Sequence, residues 1–192
     1  MLAAILLLTY SLMIIARELR KTNIAEYILY MWQVEDLLRA CSFDPEKIEQ
    51  QLIKRYNADE ATGKEIADWY HNLAVMMEKE HVQEKGHLQV VVNLINDLNE
   101  FHLRMLEVQN DQEYVRLYQE NREAIVEAME KTALDTDNEV GACLNTLYGY
   151  MMLKLKSSEI STQTHQTVER FAHQIGHLSG RYIQFENDDF EF

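Results

Sequence analysis

Helix breakers are scarce in this chain, with one proline (Pro45) and six glycines in 192 residues. An average chain carries about 12% of the two together. That scarcity excludes collagen-like, linker-rich and turn-rich β architectures and favours long helices. The only strand-like run in its region, Val90-Val91-Val92, has no partner strand in prospect and is read as helix.

Cysteine is equally sparse. Cys41 and Cys143 have neither metal-ligand spacing nor a framework pattern. Two reduced thiols at packed positions, in a cytoplasmic protein, are expected. Basic residues number 18 against 32 acidic ones, for a formal net charge of −14. Arg and Lys are scattered among Asp and Glu, so a nucleic-acid backbone would be repelled. There is no glycine-rich phosphate loop and no G-x-S-x-G elbow. Neither cysteine is placed by an obvious His and Asn partner. No cofactor is indicated, and enzyme character is left open with the balance against it.

What is present is apolar periodicity. Asn23–Ala40 has the densest aromatic and apolar content, with Ile24, Ile28, Met31 and Leu38 close to a 3.6-residue stripe. Asp44-Pro45-Glu46 marks a helix start with Asp44 as cap. Asp59 is the next expected cap, and a stripe follows through Ile66, Leu73 and Met76/Met77. It resumes nearly in phase at Leu88, Val91, Leu98 and Met105. Two helices meeting near Gly86 are expected, because one would exceed ordinary globular lengths. Asn110 with Glu113, and Thr136 with Glu139, resemble capping boxes. The helix containing GACLNTLYGYMMLKL is apolar nearly all round and is expected to be central. Ser161 or Thr162 opens the last helix, striped by Val168, Phe171, Ile175, Leu178 and Tyr182.

Residues 1–16 form an apolar run without preceding positive charge and too short for a membrane span. A start at Met13 is the favoured account, which makes residues 1–12 a start-site extension; an anchor or a core helix are the alternatives. The expected organisation is all-α: one domain over 13–186, a bundle of about seven helices with short connections, and a frayed acidic tail at 187–192.

Three constellations could carry chemistry. His173 and His177 have the i,i+4 spacing of zinc hydrolases, but Gln174 stands where the base belongs, and the pair is expected to face water. Glu78-x-x-His81 and Glu84-x-x-His87 match the Glu-x-x-His element of dimetal bundles. Both flank one turn instead of lying on separate helices, and solvated helix ends are the simpler account. Trp32, Trp69, Tyr70 and His71 could line a ligand pocket, or equally pack a helix junction.

The stretch MIIARELRKTNIAEYILYMWQVEDLLRA, followed by the Phe43-Asp44 turn, resembles the opening of an uncharacterised all-helical domain-of-unknown-function family from Bacteroidetes. The similarity runs from Met13 to the last helix and implies a start at Met13. It implies no activity, cofactor or catalytic residue. The function expected is a non-enzymatic protein-interaction or structural module, working with an unidentified partner protein or by self-association. A small-ligand- or metal-binding bundle is the alternative.

Overall fold

The computed structural model describes residues 12–54, 58–132 and 138–192, with side chains from Ile15 onward. These residues form eight α-helices and no strand, the all-α class the scarcity of breakers implies. Residues 1–11, which hold most of the apolar opening and its start-site reading, lie outside the described residues, as does Thr136.

The helices are α1 (Leu12–Thr22), α2 (Ile24–Ala40), α3 (Pro45–Ile48), α4 (Glu60–Lys79), α5 (Gln89–Val108), α6 (Gln112–Thr132), α7 (Glu139–Leu155) and α8 (Thr162–Glu186). A π-helical turn, Glu49–Ile53, continues α3. Among these helices, none is long and apolar enough to cross a membrane. The described residues divide into two compact units, one with residues 12–21 and Glu26–Val92, the other with Thr22–Ala25 and Asn93–Phe192.

In the first unit, local chemistry sets the helix ends. Asp44 Oδ1 accepts from the backbone N–H groups of Glu46 and Lys47, and Pro45 needs no donor at that position. Asp59 caps α4 through Thr62. The two helices expected around Gly86 are separate: α4 stops at Lys79 and α5 starts at Gln89. The connection contains two left-handed residues, His81 at φ 59° and Gly86 at φ 86°. Ile28, Met31, Trp32, Val34, Leu38, Ile66, Tyr70, Met77 and Leu88 form the core of this unit.

In the second unit α6, α7 and α8 pack against one another in all three pairings. Phe171, Leu178, Tyr114, Leu117 and Leu144 are buried there. Each large apolar side chain buried in this way contributes about 1.5–3 kcal/mol of transfer free energy. Ser161 caps α8 as expected. For α6 the cap is Asp111, one residue beyond the Asn110 expected; Asp111 Oδ1 accepts from Tyr114 N–H at 2.9 Å. For α7 it is Asn138, which accepts from Gly141 N–H.

The helix expected to be central is not. α7 is buried only at Val140–Leu144, and from Asn145 onward no residue is fully buried. Leu153 is 41% exposed and Leu155 71%. An all-round apolar sequence shows that a helix can be covered on every side, but not that this unit supplies the neighbours.

The acidic tail also differs from expectation. Phe190 and Phe192 fold back onto Phe101 of α5, with ring centroids 6.0 and 5.2 Å away. Aromatic burial outweighs the fraying tendency of the acidic residues between them.

Candidate functional site

The second unit holds a chain of polar side chains inside its helices. Asn121 on α6 donates to Gln174 Oε1 on α8 at 2.9 Å. Gln174 in turn hydrogen-bonds the Tyr114 hydroxyl. That hydroxyl lies 2.5 Å from Nδ1 of His102 on α5, and His102 Nε2 lies 3.0 Å from a Glu139 carboxylate oxygen on α7. The carboxylate can only accept, so Nε2 carries a proton and donates to Glu139. Tyr118 donates to the other Glu139 oxygen. Four helices are thereby tied by one ordered set of hydrogen bonds.

The electrostatics follow from that order. Burial pushes the Tyr114 hydroxyl well above its usual value, although its bond from Gln174 acts the other way. The hydrogen bond from His102 holds Glu139 below the usual carboxylate range, against partial burial. Cys143, one turn along α7, is pushed well up by burial and then by the Glu139 charge, so it is an inert thiol under ordinary conditions. Tyr114 and His102 are sealed among helices, whereas the clefts of this unit are lined by other residues. Such an arrangement fixes helix register, with Glu139 as its partly exposed member.

Asp111 anchors a second cluster at the rim. Besides capping α6, it receives His177 Nε2 at 2.8 Å and Arg181 Nε at 2.7 Å, both from α8. Burial opposes its charge, but the bonds from His177, Tyr114 N–H and Arg181 prevail and hold the carboxyl at about 2. Of the His173–His177 pair, His173 is exposed as expected, while His177 turns inward, stacked 6.0 Å from the Tyr114 ring.

In the first unit the buried carboxylate is Glu35, 1% exposed. One oxygen accepts from Leu88 N–H at 2.9 Å and the other meets His87 Nδ1 at 2.6 Å, with Arg39 at 4.0 Å. Glu80 accepts from Gln89 N–H at 2.6 Å. α5 has no acidic residue of its own in its first turn. Two carboxylates from elsewhere supply the negative charge its dipole favours. Arg39 also donates to the carbonyls of Val82 and Gly86, fastening the α4–α5 connection.

The residues singled out from sequence are dispersed by this geometry. His87 is paired with Glu35 and stacked on Trp32 at 4.5 Å, while Glu78, His81 and Glu84 are exposed. Among the described residues, no three His, Cys, Asp or Glu side chains gather into a set that could hold a metal ion. Trp32 and Tyr70 are buried. Trp69 lines a cleft of about 300 Å³ with Ala16, Arg17, Arg20, Lys21 and Tyr27, and His71 lines a different one with Phe43 and Ile48. In the sequence His102 and Asp111 stand in no motif, Glu35 only neighbours the Trp32 group, and Tyr114 only belongs to the apolar pattern of its helix. A signal existed for Asp111, which precedes a helix at cap spacing, and for Glu35 and His102 in their apolar i±3 and i±4 neighbours, which give the face but not the partner.

The fold and its polar ties thus define an all-helical protein whose buried ionisable groups are engaged at helix ends and between helices. The chain belongs to the family described as Domain of unknown function (DUF4924), whose model matches residues 13–189. Comparison with curated proteins and with solved structures gives no match.

Proposed function

We propose that this chain is a non-enzymatic interaction module that binds another protein through the second half of α7. The observation that carries this reading is the apolar end of α7, where Leu155 is 71% exposed with the partly exposed Met151 and Met152 on the same side, and Leu153 is 41% exposed on the other. Contiguous apolar surface on a helix marks a contact site more often than a solvated face. Methionines adapt to irregular partner surfaces. The polar ties at Glu139, at the other end of α7, suit a scaffold that holds the helix in a fixed register. The test is purification of the tagged chain from its producing cells, beside a Leu153→Asp/Leu155→Asp variant, with light scattering on both. Wild type is expected to carry a stoichiometric protein that the variant loses. A wild-type chain without any protein partner, or a variant that retains the same one, would contradict the proposal; a self-associated chain would replace the partner by a second copy.

A second reading, ligand binding, is favoured by the Trp69 cleft alone. Arg17, Arg20 and Lys21 beside Tyr27 and Trp69 offer cations and aromatic faces, which suits an anionic aromatic molecule. A thermal-shift screen of such molecules, repeated with Trp69→Ala, checks it.

A further inference from the structure

The sequence Phe185-Glu-Asn-Asp-Asp-Phe190-Glu-Phe192 makes an unusual seat for itself. α8 ends at Glu186, and Asp188 at φ 60° turns the chain back. Phe192 then lies 5.2 Å from Phe101 and 5.5 Å from Phe185, and Phe190 lies 5.5 Å from Phe192. Arg104 of α5 sits 4.0 Å above the Phe192 ring, and Arg181 of α8 sits 5.5 Å from the Phe190 ring. Asn110 donates to the Glu191 carbonyl at 3.0 Å, a main-chain contact to the segment. The floor is Phe101 and Tyr182, both buried. Aromatic rings at i and i+2, guanidinium groups over their faces and one main-chain bond together seat the segment.

The segment does not fill the groove. A cleft of about 320 Å³ remains beside Phe192, lined by Asp97, Glu100, Phe101, Arg104, Tyr182 and Phe185. Phe190 and Phe192 are each half-exposed where they sit. The bound segment has the features of an occupant that can leave.

We propose that the α5–α8 groove is a docking site for a segment of a partner protein carrying two aromatic residues at i and i+2. Residues 190–192 are its built-in competitor. The seated segment defines the ligand: both aromatic rings meet Phe101, that of Phe192 also meets Phe185, and the residue between them is held through its carbonyl. Tethering gives the internal segment a high effective concentration, so a partner must out-compete it, and docking is held off until one does. This surface is separate from the exposed half of α7, so the two proposals fail independently.

The test uses the full chain and a fluorescein-labelled peptide of sequence FENDDFEF, followed by anisotropy. The Phe190→Ala/Phe192→Ala double variant, freed of its competitor, is expected to bind the peptide about tenfold or more tighter than wild type. Adding Arg104→Ala to that variant, an exposed position whose change leaves the core intact, is expected to weaken binding several-fold through loss of the cation–π contact. A peptide with both phenylalanines replaced by alanine is expected not to bind. The proposal is overturned if the double variant binds no tighter than wild type, if Arg104→Ala has no effect, or if the alanine peptide binds equally. It is also overturned if light scattering shows wild type as a dimer that the double variant dissolves, because the segment would then serve a second copy and not hold off a partner.

Discussion

Replacing Asp111 by Asn separates charge from geometry, because Asn can still accept the α6 capping bond. Lowering the carboxyl from its usual 3.8 to about 2 corresponds, at about 1.4 kcal/mol per tenfold, to about 2.5 kcal/mol of folding stability. Arg181, one of the groups responsible, is 37% exposed, and solvent screens that side, so about 1.5 kcal/mol is the expected observable. The sign is that of a depressed carboxylate. The contribution is complete above about pH 5, where the unfolded group is ionised too, and is lost as pH falls through about 2. Urea denaturation of wild type and Asp111→Asn at pH 6 and pH 3 measures this. The gap between the two proteins should be about 1.5 kcal/mol at pH 6 and roughly half of that at pH 3. A gap that is constant with pH, or that widens as pH falls, would refute the argument that the charge of Asp111 stabilises the fold.

Glu35→Ala removes a buried carboxylate from Leu88 N–H, His87 and Arg39 together, and should cost about 3 kcal/mol in the same denaturation assay. Gly86→Ala should cost about 1–2 kcal/mol: the added Cβ meets Val82 Cγ1 at an ordinary 3.5 Å, so the penalty comes from the left-handed backbone and not from crowding. Cys143 should react with a disulfide reagent far more slowly in native protein than in urea, by at least about a hundredfold, because its thiol is buried and its ionisation suppressed.

The parts of this fold legible in the sequence are those decided within a few residues. Asp44-Pro45, Asp59 and Ser161 act on backbone groups two or three positions ahead, and each caps the helix it precedes. The break near Gly86 was equally local, a matter of length and of polar residues interrupting a stripe. Glu35 and His102 were illegible for the opposite reason. Glu35 finds Leu88 N–H 53 residues away, and His102 finds Glu139 37 residues away, pairings no periodicity encodes. Each stands on an apolar helix face, Glu35 beside Met31, Trp32 and Leu38 and His102 beside Leu98 and Met105, so the pattern points the side chain inward without naming its partner. His87 drew notice as a metal ligand because it stands among Glu84 and His81, yet its partner lies on α2. For α7 the error was one of supply: apolar residues on every face state a demand for neighbours, and only the folded unit shows whether it is met. The tail misled in the same way, since the acidic residues at 188, 189 and 191 obscured the two aromatic anchors they separate.

The account turns on the uncovered half of α7 being a contact surface. A photo-crosslinking amino acid placed at Leu155, compared with the same probe at the exposed Arg122 on α6, tests this in the producing cells. Leu155 should give a discrete protein adduct of defined mass, abolished by Leu153→Asp, while Arg122 gives none. Leu155 without an adduct, in cells where the chain is folded and abundant, would contradict the claim and return the weight to the Trp69 cleft.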